Sequence, residues 1–100
     1  MIRTPEGKQI NGGIFGHFLA FIVGIIPYVW EYQAIQAAPD TVTLQVVPTA
    51  RFTSEFASLL HDRLETFLGP GICVTVTPVD TIPLETSGKR LIIKSFLPKT

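Results

Sequence analysis

Residues 52–71 read FTSEFASLLHDRLETFLGPG. Phe56, Leu59, Leu60, Leu64, Phe67 and Leu68 recur at intervals of three and four, the spacing that gathers side chains on one face of an α-helix. Glu55, Ser58, Asp62, Glu65 and Thr66 fall away from that face. Thr53 or Ser54 can cap the helix, because a hydroxyl there accepts from a free backbone N–H of the first turn, and Phe52 stands just outside. Gly69-Pro70-Gly71 ends it. Such a helix needs a second layer on which to bury its apolar face. The flanking sequence supplies one. TVTLQVV at 41–47 alternates Val42, Leu44 and Val46 against Thr43 and Gln45, which is a half-buried strand. ICVTVTPV at 72–79 is a further strand.

Upstream, residues 28–37 are rich in aromatic and β-branched side chains and predict a strand. APD at 38–40 turns it into 41–47 as an antiparallel hairpin. IFGHFLAFIVGIIPYVW at 14–30 is apolar but falls short of the ~20 residues of a spanning helix. Gly16, Gly24 and Pro27 interrupt it, and neither a basic start nor a small-residue cleavage site marks it as a signal peptide. It predicts a buried helix over 14–23 that runs into a buried strand. TPEGK at 4–8 is a turn joining short strands at 1–4 and 8–10, and NGG at 11–13 punctuates the entry to the helix. LIIKSF at 91–96 has the composition of an edge strand. The order is hairpin, α, β, β, α, β, loop, β. It predicts one α+β domain over 1–100, a ferredoxin-like two-layer sandwich. Its sheet is expected to be mostly antiparallel, with two helices on one face, preceded by a short hairpin.

With 46% hydrophobic and 16% charged residues, the chain has the composition of a folded domain. Eight basic residues balance eight acidic ones, so no global field draws nucleic acid or an anionic membrane. Aromatic and basic residues are not interleaved as a nucleic-acid stacking surface would require. The single cysteine, Cys73, rules out an internal disulfide. In an apolar strand it reads as a small buried hydrophobe of a reduced, cytoplasmic protein.

Little catalytic chemistry is legible in the residue pattern. Gly88-Lys89 is not a P-loop, since the glycine expected at 83 is proline and Arg90 follows the lysine. His17 reads as a core histidine and His61 as a solvated one, neither with a cysteine or carboxylate partner at metal-ligand spacing, so no metal site is expected. What remains is ETSGKR at 85–90. It is either a turn with two exposed basic residues or a loop that presents the Lys89 ammonium to a phosphate or carboxylate. Gly88 permits a sharp backbone path, and lysine is a point charge on a long stem.

The stretch VDTIPLETSGKRLIIKS resembles the C-terminal lysine motif of adenylate-forming enzymes, with its Ile-Pro, polar spacer and Ser-Gly-Lys. MIRTPEGKQINGGIF, IPYVWEYQAIQAAPDTVTLQVVP and GICVTVTPVDTIP are similar, in that order, to the C-terminal domain of the phenylacetate–coenzyme A ligase family, most of all to its capsular polysaccharide biosynthesis relatives. The resemblance covers residues 1–97. It implies a two-step reaction in which ATP and a carboxylic acid give an acyl-adenylate, and coenzyme A then displaces AMP. It implies that Lys89, supported by Ser87 and Gly88, bridges the acid carboxylate and the α-phosphate, and that the turn over 4–13 faces the site in the thioester-forming arrangement. The partner it implies is an N-terminal adenylation domain that holds the phosphate loop, the acid pocket and most of the Mg2+ contacts. The family's hinge, too, lies just before this chain. The chain alone is therefore expected to be inactive, and its apolar surface to drive self-association into a homodimer. The competing expectation is a free-standing ferredoxin-like binding or dimerisation module without catalytic activity.

Overall fold

A computed structural model of the chain describes residues 1–82 and the backbone of 93–95. The first two strands, β1 (Ile2–Arg3) and β2 (Gln9–Ile10), form a hairpin that pairs Ile2 with Ile10, and both isoleucines are buried. Its turn is closed at Thr4. The Thr4 N–H donates to the Lys8 carbonyl at 2.9 Å, and the Thr4 hydroxyl accepts from the Lys8 N–H at 3.0 Å. Gly7 takes φ 90° in this turn, a conformation that costs glycine little.

Helix α1 (Gly12–His17) is capped by Asn11, whose Oδ1 accepts from the Ile14 N–H at 2.8 Å. The expected single helix changes pitch midway. Phe18–Val23 is π-helical, and its last bond runs from Gly24 N to Leu19 O at 2.9 Å, five residues back instead of four. Gly24, at φ 77°, then stops it.

Helix α2 (Ser54–Leu68) follows its sequence pattern closely. Thr53 is the cap, accepting from the Phe56 N–H at 3.1 Å. Phe56, Leu60, Leu64 and Leu68 are buried. Phe67 is half-buried and turns toward α1, where Phe18 stacks on it at 4.0 Å. Leu59, expected on the apolar face, is 42% exposed.

The remaining strands, β3 (Val29–Ala38), β4 (Thr41–Pro48), β5 (Cys73–Pro78) and β6 (Ile93–Ser95), form one sheet in the order β5-β4-β3-β6. The central hairpin β3–β4 is antiparallel, as expected, with Gln36 opposite Val42 and Ala34 opposite Leu44. Both outer pairings are parallel, which makes the sheet more mixed than the element order alone suggested. For β5 the reason is α2: a helical crossover carries the chain back to the end where β4 began, so β5 runs alongside it in the same direction. Val42, Leu44, Val46, Val74 and Ala34 face the helices and are buried. The α+β sandwich with its preceding hairpin is thus the observed fold. Cys73 is exposed, contrary to the buried position expected for it. With Val74 turned inward, strand alternation turns Cys73 out.

Three polar residues are buried among the described residues, Thr4, Gln33 and Gln36, and the last of them ties two parts of the fold together. Gln36 is fully buried. Its Oε1 accepts from the Arg3 N–H at 2.9 Å, and its Nε2 donates to the Arg3 carbonyl at 2.7 Å and the Pro39 carbonyl at 3.4 Å. It closes a two-way backbone clasp that holds the hairpin to the sheet. Among the described residues no buried side-chain nitrogen or oxygen lacks a partner. Gln36→Leu keeps the volume but strands both backbone groups of Arg3, and should cost roughly 2–3 kcal/mol in urea unfolding. Gln45→Leu, on the opposite face of the same sheet, should stay within about 0.5 kcal/mol.

Candidate functional site

The residues that sequence singled out, Ser87, Gly88 and Lys89, lie outside the described residues. The residues that flank their segment are described. β5 finishes with Pro78 in register with Val46, and the Val79 N–H donates to the Val46 carbonyl at 2.8 Å. Ile82 is buried. β6 begins at Ile93, in register with Ala34 and parallel to β3. The first flank therefore lies at the end of the sheet where β4 finishes and β3 begins, whereas β6 starts partway along β3 and runs away from that end.

That end of the sheet also carries an open groove of about 360 Å³ lined by Ile26, Pro27, Trp30, Thr49, Ala50 and Arg51. Its shape is fixed by a tightly bonded turn after β4. The Thr49 N–H donates to the Tyr28 carbonyl at 3.0 Å. The Thr49 hydroxyl donates to the Pro27 carbonyl at 2.9 Å and accepts from the Arg51 N–H at 3.1 Å. Below it Tyr28 stacks on Phe56 at 4.0 Å, and Phe52 meets Phe56 edge-on at 5.7 Å. The groove joins an exposed indole, apolar walls and one guanidinium. That combination suits an apolar partner surface with an acceptor for Arg51 better than it suits a reaction. The only signal for it in the sequence is Trp30 at the end of an uncharged run.

A second groove of about 440 Å³ runs along Glu65, Thr66, Gly69, Pro70, Gly71 and Ile72. The tip of the first hairpin overhangs it. A Cβ built on Gly71 would meet Pro5 at 3.2 Å, and one on Gly69 would collide with the Glu6 carboxylate. Both glycines have positive φ, which disfavours larger residues in the turn after α2. Pro5 crowds Gly71 as well, while the Glu6 carboxylate beside Gly69 ends a flexible, exposed side chain that can move aside.

His17 is exposed, not a core residue, and packs against Phe21 with ring centroids 4.9 Å apart. His61 does have carboxylate neighbours, which corrects the sequence expectation. Its Nδ1 lies 3.4 Å from both Asp62 and Glu65, and the three ligand atoms fall within 4.8 Å of one another. The i,i+4 spacing of His61 and Glu65 is the signal that was overlooked. These groups sit on the solvent side of α2, and an imidazole with two exposed carboxylates does not match the all-oxygen, near-octahedral shell of Mg2+. It acts as a weak surface pair whenever the histidine is protonated. Near the core, burial raises the Tyr32 phenol above its ordinary value of 10.0, so it stays uncharged. Among the described residues no helix is long and apolar enough to cross a membrane.

Against models of known protein families, residues 2–95 match the CapK C-terminal domain. No curated protein and no solved structure matches the chain.

The exposure of Cys73 gives a direct check on the strand register. Ellman's reagent should titrate one thiol fully in native buffer, as fast as in denaturant to within about tenfold. Labelling that requires unfolding would place Cys73 inside and shift β5 by one residue.

Proposed function

The chain belongs to the CapK C-terminal domain family, and on that premise we propose that it is the small C-terminal domain of an AMP-forming carboxylate–coenzyme A ligase of the phenylacetate–coenzyme A ligase type, serving capsular polysaccharide biosynthesis in the cytoplasm. The observation that carries the proposal is the family match over 2–95 together with Ser87-Gly88-Lys89 following Ile82-Pro83 within that span. An N-terminal domain of the same polypeptide binds ATP, Mg2+ and the carboxylic acid. This domain closes over them.

The chemistry asked of this chain is electrostatic. Attack of a carboxylate on the α-phosphate brings two anions together, and negative charge builds on the phosphoryl oxygens as pyrophosphate departs. An ammonium held between the two stabilises that charge without changing its own protonation. Lys89 is the group for this role, since a lysine reaches out as a compact point charge. Ser87 and Gly88 let the backbone place it. The exposed hairpin tip at residues 5–9 leaves the first turn free to face the same site when the domain rotates for thioester formation.

Lys89→Ala in the full-length enzyme should lower adenylation by about a hundredfold or more, roughly 3 kcal/mol of barrier. Thioester formation from a pre-made acyl-adenylate should change far less, because one lysine meets the phosphate in only one orientation of the domain. Measuring the two half-reactions separately decides the matter. Equal losses, or none, would leave Lys89 as an exposed surface residue and favour the free-standing binding module. Residues 1–100 by themselves should give no ATP–pyrophosphate exchange with any carboxylic acid.

A further inference from the structure

Residues 9–30 contain no aspartate, glutamate, lysine or arginine. The helical part of this run is apolar on every side except at the exposed His17. Its inner side is satisfied: Phe15 and Leu19 are fully buried, and Phe18 stacks on Phe67. Its outer side carries Ile14, Phe21 and Ile22, exposed by 52%, 74% and 61%, and beyond Gly24 come Ile26 at 68% and Trp30 at 75%. Single exposed hydrophobes are ordinary, but here five of the seven large exposed ones among the described residues fall within residues 14–30. A helix apolar all round belongs between two covering surfaces, and a concentration of this kind marks a surface that something covers.

What covers it can be argued from its position. Ile26 and Trp30 line the groove with Arg51, at the sheet end where β5 finishes, ahead of the Lys89 segment. If that segment is delivered to another domain, the surface beside it faces the same domain. The family is that of a C-terminal domain, so that partner precedes this chain in its polypeptide. Exposed tryptophan and arginine are the residue types that anchor such contacts. A lipid surface fits less well, because among the described residues Arg51 is the one cation that lines the groove, whereas an amphipathic face held to anionic headgroups carries a row of them.

We propose that the strip from Phe21 to Trp30, with Arg51 at its edge, is the seat of the N-terminal domain of the same polypeptide, which meets it with an apolar patch and a carboxylate opposite the guanidinium. This rests on the reading of the chain as the C-terminal domain that delivers Lys89. The strip does not depend on the chemistry of the lysine itself.

Hydroxyl-radical footprinting of the wild-type full-length protein reads the side chains directly, without ligand and again with ATP. Phe21 and Trp30 should oxidise at least about fivefold more slowly than their free side chains in one or both states, as residues sealed from water in an interface do. The protection should be independent of protein concentration. Oxidation near the free rate in both states would overturn the proposal. So would protection that vanishes on dilution, which would assign the strip to a second copy of the protein. Pyrophosphate exchange measured on the same preparation separates the two claims. Exchange with an unprotected strip removes the seat and keeps the ligase, whereas protection without exchange removes the ligase and keeps the seat.

Discussion

The fold hangs on one contact: the row Phe56, Leu60, Leu64 and Leu68 laid on Val42, Leu44, Val46 and Val74. Each of the four helical side chains is worth about 1.5–3 kcal/mol when buried, so together they rival the whole net stability of a domain this size, roughly 5–15 kcal/mol. The crossover between β4 and β5 exists because α2 must lie across the sheet to make this contact. The direction of β5 follows from the crossover. The position of the first helix follows as well, since its aromatic side packs on Phe67 at the margin of the same row.

How legible this was depended on how local the physics is. The α2 row, its Thr53 cap and the alternation of 41–47 are set by neighbours within one or two turns, and sequence spacing finds them. Cys73 went wrong because composition was weighed where register should have been: the alternation that turns Val74 inward turns its neighbour out. His17 went wrong because an apolar segment was read as buried on all sides, and Leu59 because it stands at the margin of the α2 stripe, where burial is settled by which other elements are present to cover it. The parallel partners of β3 and β4 and the change of pitch at Phe18 are tertiary outcomes with no short-range marker. The His61–Glu65 spacing was in plain view. The motif around Lys89 is read from sequence alone, and its residues lie outside the described ones. The groove of Trp30 and Arg51 was not legible, because its walls come from residues 26–30 and 49–51, which only pairing of β3 with β4 brings together.

A small α+β sandwich is compatible with many functions, and nothing in its layers selects one. The fold's contribution is placement. The central hairpin and its parallel partner β5 bring the chain, just before the 83–92 segment, to the end of the sheet that carries Trp30, the most exposed aromatic side chain among the described residues. On the reading proposed above, a lysine entering another domain's site would be served by that placement: a rigid platform with its groove at the same end.

The π-helical half of the first helix ties that surface to a count of residues as well as to their character. A bond that spans five residues accommodates one more residue per turn than the ladder before it. Removing one residue from 18–23 would let the chain return to ordinary α pitch with later side chains still facing as they do, whereas the same loss from the α-helical half would swing each later side chain by about 100° around the axis. Sides that now look outward would then look in, with composition almost unchanged. Chain length in the α-helical half thus acts as a phase setting, and the π-helical half is the place where one residue can be lost without turning the outer face inward.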